Sequence, residues 1–326
     1  MEGLGLLEID SGIRFKGTDI WLDPHRKKPL AFVSHAHGDH ALKNHEVAIV
    51  SSKTARFYAK GFKGKEIIAL SFGRRQRFGG ATITLFPAGH ILGSSQIMIE
   101  KHGLKAVYTG DIKLRKGLTS ERIEIKRCDV LIIECTYGDP RFIFPDFMEA
   151  AHELLSFIKA CFSRKITPVV ITYRIGKAQE IIKLLGDRGI VTRLESSIYE
   201  ATEIYRDLGI NLINYKRYPP FVPGKEVIIV PPYRRDIVKY VTKRTIAPTG
   251  WAMDKKMVER LGVDRAVPIS DHADFSELLA YIMLARPKRV YTVHGDDTFS
   301  DFLRRQGIYA KHIEAPYQPT LNGYFG

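Results

Sequence analysis

Cysteine is scarce in this sequence of 326 residues: Cys128, Cys135 and Cys161 make an odd number, and none stands in a C-x-x-C pair. That excludes a disulfide framework and a thiolate zinc cage, and their apolar surroundings predict buried thiols. Long hydrophobic runs are also missing. No stretch reaches the roughly 20 apolar residues that cross a bilayer, and the start Met1-Glu2-Gly3-Leu4-Gly5 has no basic region leading into an apolar core, so no membrane partner and a cytoplasmic location are expected. Asn and Gln are few beside Lys, Arg, Glu and Ile, a balance of the thermophilic kind.

What is present is an ordinary globular composition, 44% hydrophobic and 26% charged, in a chain long enough for one large or two moderate domains. The formal net charge of +14 gives a positive field that favours polyanions such as RNA or DNA. The basic residues are spread along the chain, as in Arg74-Arg75, Lys216-Arg217 and Arg304-Arg305, rather than gathered in one run.

One stretch dominates. Ser34-His35-Ala36-His37-Gly38-Asp39-His40 places three imidazoles and a carboxylate within six residues, directly after the apolar run Leu30-Ala31-Phe32-Val33. Neutral imidazole suits zinc and related ions, and a carboxylate offsets part of the charge of a dication. The apolar run reads as a buried strand, and a turn at Gly38 lets the side chains point two ways, which suits two adjacent metals. His35 and His37 would serve one ion, Asp39 and His40 the other.

The remaining chain alternates strands and helices, consistent with a layered α/β fold. Residues 12–15 and 19–22 read as an antiparallel pair with Gly17 near the turn, and Asp23 ends the second strand. Ala81 to Phe86 is a strand that leads to His90 within Ala88-Gly89-His90-Ile91-Leu92-Gly93-Ser94; Ala106 to Thr109 leads to Gly110-Asp111. Asp129-Val130-Leu131-Ile132-Ile133 ends in Glu134, a carboxylate too costly to bury without a partner. Asp146 with Glu149, and later Asp274 with Glu277, resemble capping boxes that open helices. Between about 146 and 245 the alternation reads as a small parallel α/β unit, in which Tyr173, Arg174 and Lys177 stand after a strand and at a helix start, where phosphate is readily met. Lys177 reads equally well as a solvated helix residue. Arg289 to Val293 is the last strand, with His294 at its end.

This order of landmarks resembles the metallo-β-lactamase superfamily, and Glu134-Cys135-Thr136-Tyr137-Gly138 with Ser270-Asp271-His272-Ala273-Asp274 resembles its β-CASP nuclease branch. Local segments such as Gly89-His90-Ile91-Leu92-Gly93-Ser94 and Ile175-Gly176-Lys177-Ala178-Gln179 are most similar to DNA-ligase-associated exonucleases, with mRNA 3′-end processing nucleases and RNase J as more distant relatives. The resemblance implies an αββα sandwich in 1–145 and 246–326 with an inserted β-CASP cap in 146–245. It implies two zinc ions, with manganese as the other candidate: His35, His37 and His90 on one, Asp39, His40 and His294 on the other, and Asp111 bridging. Asp23 would support the metal loop from behind, and Glu134 and His272 would be mutual partners. Catalysis would then rest on Asp39, Glu134 and His272, with a metal-bridging hydroxide attacking a phosphodiester and a protonated His272 meeting the leaving oxygen. Ser94, Tyr137, Tyr173, Arg174 and Lys177 would contact single-stranded RNA or DNA. A small-molecule metallo-hydrolase has no need of the cap or of the Glu134 and His272 pair, and a catalytically inactive nucleic-acid-binding subunit lacks metal ligands that are all present here. A homo-oligomer stays open.

Overall fold

A computed structural model describes residues 6–78 and 80–314. The start at 1–5, on which the expectation about a leader rests, lies outside them. The described residues divide into two compact units: one up to Pro140 and again from His272, the other Arg141–Asp271.

The first unit begins with β1 (Leu7–Ile9), β2 (Ile13–Phe15), β3 (Trp21–Leu22), β4 (Leu30–Phe32), β5 (Val47–Ser51), helix α1 (Ser52–Tyr58) and β6 (Glu66–Leu70). These strands form one sheet in chain order, antiparallel from β1 to β3 and parallel from β3 to β6. A second sheet starts with β7 (Arg75–Phe78), β8 (Ala81–Pro87), β9 (Ser95–Lys101), β10 (Leu104–Tyr108) and β11 (Val130–Glu134).

The second unit follows. It runs α2 (Phe147–Ser163), β12 (Thr167–Ile171), α3 (Lys177–Gly186), β13 (Thr192–Leu194), α4 (Ser196–Asp207), β14 (Tyr215–Arg217), β15 (Val227–Val230), β16 (Lys243–Pro248), α5 (Lys255–Leu261) and β17 (Arg265–Val267). The chain then returns to the first unit with α6 (Phe275–Ala285), β18 (Arg289–Val293), α7 (Thr298–Arg305) and β19 (Ala310–His312). The second sheet is thereby completed in the order β19-β18-β11-β10-β9-β8-β7.

Period-two alternation builds the sandwich. Ile83, Leu85, Ile97, Ile99, Tyr108 and Ile132 point from the second sheet towards Phe32 and Ile49 of the first, forming the central core. On the opposite face of the second sheet, Val107, Leu131 and Ile133 meet Phe275, Leu278, Tyr281 and Ile282 of α6 and Phe299 and Leu303 of α7. A strand covered on both faces has to be apolar throughout, which accounts for the unbroken run Val130-Leu131-Ile132-Ile133. Behind the first sheet, Val33, Ala48 and Val50 pack on Tyr58 of α1. The order is helix, sheet, sheet, helix.

The second unit is a six-stranded, all-parallel sheet in the order β14-β13-β15-β12-β16-β17. Asp146 opens α2 by accepting the Met148 N–H at 2.7 Å; Asp274 and Glu277 form the full reciprocal box at α6. One boundary differs from the sequence expectation, which closed the insertion at 245. Thr245 and Ile246 pair with Val169 and Val170 of β12, and β17 extends the same sheet, so the chain leaves this unit only at Asp271. Pairing with β12 leaves Ile246 and Ala247 buried, a long-range fact that the local pattern does not carry. Among the described residues, no helix is long and apolar enough to cross a membrane.

Candidate metal centre

Strand direction gathers the site. β10, β11 and β18 run parallel, and β8, two antiparallel steps from β10, points the same way. Their carboxyl ends therefore share one edge of the second sheet. His90 follows β8, Asp111 follows β10, Glu134 ends β11 and His294 follows β18. From the first sheet, β4 delivers the loop with His35, His37 and His40. Asp111 approaches this loop because Gly110 has φ of +54°, and a Cβ there would lie 2.5 Å from that of Ser34.

Two groups of candidate ligand atoms share one carboxylate, and a third joins the same carboxylate to Glu134 and His272. His35, His37, His90 and Asp111 offer atoms within 4.8 Å of one another, and His40, Asp111 and His294 do the same. Asp111 Oδ2 is 3.5 Å from His35 Nε2, 3.5 Å from His40 Nε2 and 3.7 Å from His90 Nε2. His90 Nε2 and His37 Nδ1 stand 3.1 Å apart. Asp39 is placed less tightly than expected: its carboxylate is 3.8 Å from His40 Nε2, outside both groups, and its side chain is 45% exposed. It sits at the exposed turn with Gly38.

A buried aspartate orients the loop. Asp23 accepts hydrogen bonds from the Ser34 N–H (2.7 Å), the Ser34 hydroxyl (2.6 Å) and the Tyr108 hydroxyl (2.8 Å). It also holds His40 Nδ1 at 2.8 Å. Because the ionised carboxylate only accepts, His40 carries its proton on Nδ1 and presents the Nε2 lone pair. The Ser34 oxygen, having donated to Asp23, is left to accept from His35 Nδ1 at 2.9 Å. His35 Nε2 then becomes an acceptor, buried and without a hydrogen bond.

That orphaned nitrogen is what a metal ion would satisfy. Burial first, and the neighbouring His40, His90 and His37 next, hold His35 well below the usual imidazole range. Burial and His40 push His294 down to about 4. Neutral imidazole is the ligating form. Burial also pushes Asp111 up to about 7, outweighing the pull of His40 and His272. His40 moves the other way: burial alone lowers it, but Asp111, Asp39 and Asp23 raise it well above its ordinary value. A cation between these groups would keep Asp111 ionised and His40 neutral, and the donor set of imidazoles and a shared carboxylate fits zinc.

The second pair lies beside the first. Glu134 is fully buried and accepts the Ile112 N–H at 2.8 Å and the Thr136 N–H at 3.3 Å. His272 Nδ1 lies 3.0 Å from one of its oxygens and 3.2 Å from the other. His272 Nε2 therefore faces Asp111 Oδ2, 3.9 Å away. Burial alone would raise Glu134, but His272 and its hydrogen bonds bring it below the ordinary carboxylate value.

The five expected substrate contacts fare differently. Ser94 is buried, and its oxygen accepts the Ile91 N–H at 3.2 Å, so it closes its own turn. Tyr137 is buried with its ring 6.0 Å from that of His272 and buttresses it. Lys177 is neither a phosphate contact nor a solvated residue: it is 2% exposed, with Nζ 2.8 Å from Asp271 Oδ1 in the second unit. Tyr173 is half-buried, and Arg174 is exposed. Sequence reasoning missed Ser34 and Tyr108, which hold Asp23, although Ser34 directly precedes the histidines. It also missed Arg115, whose backbone and Nε bond Glu277 Oε1 at 2.7 and 3.0 Å and pin the helix that starts beside His272.

An αββα sandwich with imidazoles and a shared carboxylate at one sheet edge is an arrangement of the metallo-hydrolase kind, with a candidate metal site. Residues 262–316 match the model of a Zn-dependent metallo-hydrolase RNA specificity domain. A protein of Opitutus terrae named "Probable DNA ligase" is 34% identical over 323 residues, which cover 97% of this chain and 32% of that protein. "DNA ligase 6" of Arabidopsis thaliana is 26% identical over 86% of this chain and 22% of its own length. An "RNase J-like protein" of Methanocaldococcus jannaschii is 26% identical over 65% of this chain and 63% of its own. The chain thus spans a third or less of the first two relatives. It belongs to the metallo-β-lactamase/β-CASP family.

Proposed function

We propose that this chain is a zinc-dependent nuclease that hydrolyses phosphodiester bonds of single-stranded nucleic acid. The observation that carries the proposal is the carboxylate of Asp111, shared by two groups of ligand atoms beside the orphaned Nε2 of His35. When bound, a pair of zinc ions supplies Lewis-acid charge to the phosphate and acidifies a water molecule. His35, His37 and His90 would hold one ion, His40 and His294 the other, with Asp111 between them; Asp39 would close on the second when it is filled.

The chain's own residues supply the rest. Asp23 and Ser34 fix the tautomers of His40 and His35, so the lone pairs are aimed before any ion arrives. Glu134 holds His272 through Nδ1, and Nε2 would carry a proton to the departing 3′ oxygen, so that the products are a 5′ phosphate and a 3′ hydroxyl. His272, at 20% side-chain exposure, is open enough for a leaving group to reach.

RNA and DNA both stay within the proposal. The matching model is named for RNA specificity, whereas two of the relatives are named as DNA ligases. The test is cleavage of end-labelled single-stranded RNA and DNA of one sequence with zinc or manganese, beside an Asp39→Ala, His40→Ala double variant. A ladder from one end of DNA supports an exonuclease, and internal cuts confined to RNA support a processing endonuclease. Intact substrates under all metals, with binding retained, would replace the enzyme with a nucleic-acid-binding subunit.

A further inference from the structure

The second unit holds polar groups that the proposed reaction does not use. In its parallel sheet, β12 and β15 are neighbours, yet the chain leaves β12 towards β13 on one side and leaves β15 towards β16 on the other. Connections that part in this way open a crevice at the carboxyl ends of the strands, a common place for ligands in such sheets. At that edge a narrow recess is lined by residues that include Thr172, Tyr173, Pro232, Arg235, Thr249 and Leu261. No acidic side chain lines it.

Two buried atoms there bond to nothing, Thr172 Oγ1 and Arg235 Nε. Thr172 is only 4% exposed, so its hydroxyl has little water to turn to. Arg235 is anchored by Nη1, which donates to Leu261 O at 2.7 Å and reaches Gly262 O at 3.5 Å. Those bonds fix the guanidinium plane but bring no negative charge, and burial lowers Arg235 from its ordinary value with no anion to hold it up. The edge formed by Nε–H and the adjacent Nη2–H is the one with which arginine grips two oxygens of a phosphate or carboxylate. Thr249 is already committed, since its oxygen accepts the Trp251 N–H at 3.3 Å.

We propose that this recess binds a phosphate-type oxyanion, held by the Nε and Nη2 edge of Arg235 and by the Thr172 hydroxyl. A hydroxyl that directly follows β12 and a guanidinium edge from the short helical turn after β15, lining one recess without acid, would select the dianion of a free or terminal phosphate or the monoanion of a strand's backbone. The site goes beyond the proposed hydrolysis and stands without it, because none of its residues is a candidate metal ligand.

Titration calorimetry on the zinc-loaded protein tests it, with inorganic phosphate, a nucleoside 5′-monophosphate and dimethyl phosphate as probes. Thr172→Val keeps the shape and removes one donor, so it should weaken binding at this site on the order of tenfold. Arg235→Lys keeps the charge but loses the two-donor edge and should weaken it similarly, and Arg235→Gln should abolish it. Any phosphate taken up at the metal centre should be equal in all these proteins. Tight binding of dimethyl phosphate would assign the site to a strand's backbone; preference for the monoester or free phosphate would assign it to a chain end or a small anion. Equal affinities in the wild type and the Thr172→Val protein, or no binding of any probe, would overturn the proposal and leave the recess as a place for water. The valine variant decides even where Arg235→Gln fails to fold.

Discussion

Two buried carboxylates in the first unit do the same thing to two histidines with different results. Asp23 holds His40 through Nδ1, and Glu134 holds His272 through Nδ1; both imidazoles then turn Nε2 to the same oxygen of Asp111, at 3.5 and 3.9 Å. The surroundings differ. The His40 side chain is 4% exposed and its anchor takes further donors from Ser34 and Tyr108, whereas the His272 side chain is 20% exposed. A fixed, sealed imidazole suits a permanent ligand, and an identically oriented but accessible one suits a proton donor. The carboxylate sets the orientation of both, and access to solvent distinguishes this pair.

The variants that separate these roles differ in size of effect. Asp111→Asn should have the largest, because it disturbs both ligand groups: zinc content falls and cleavage drops below detection. His272→Ala should lower kcat by about 10²–10⁴-fold while zinc content, measured by mass spectrometry, stays unchanged. A loss of zinc in that variant would mean that His272 is a ligand and would erase the distinction. Asp23→Asn should act on the opposite side of the comparison, lowering zinc affinity by about 10–100-fold, as loss of a group that orients a ligand does. Should it instead reduce kcat at full zinc occupancy, Asp23 would belong with Glu134.

Smaller effects fall on the second unit. Lys177→Met leaves Asp271 buried without its cation and should cost about 3–5 kcal/mol of stability in a denaturant titration. Adding Asp271→Leu should recover most of that loss. Arg174→Ala should weaken oligonucleotide binding only a few-fold and reduce the salt dependence by about one phosphate contact, read from binding isotherms at several salt concentrations.

Much of the candidate metal centre was legible because its residues are chemically distinctive and stand at strand ends, where a period-two apolar run stops and the next polar residue faces the sheet edge. His35, His37 and His40 are of this kind, whereas His90, Asp111 and His294 stood out only through the resemblance in the order of landmarks. The cost of burying a lone carboxylate called for a partner to Glu134, but only the family resemblance pointed to His272, 138 residues away. Lys177 was not legible: a lysine at a helix start reads the same whether it faces water or a buried aspartate 94 residues further on. Ser94 and Tyr137 failed for a similar reason, since a polar side chain next to a motif can close a turn or prop a neighbour instead of touching substrate. The layered α/β pattern was visible in the alternation of strands and helices, but the extent of the insertion was not, because β16 joins β12 by a long-range pairing that its own residues do not announce.

The most direct test of the shared carboxylate is anomalous diffraction at the zinc edge from crystals of the zinc-loaded protein. Two peaks flanking Asp111, one among His35, His37 and His90 and the other beside His40 and His294, are the expected result. A single peak away from Asp111, or no bound zinc at full loading, would contradict a two-metal centre.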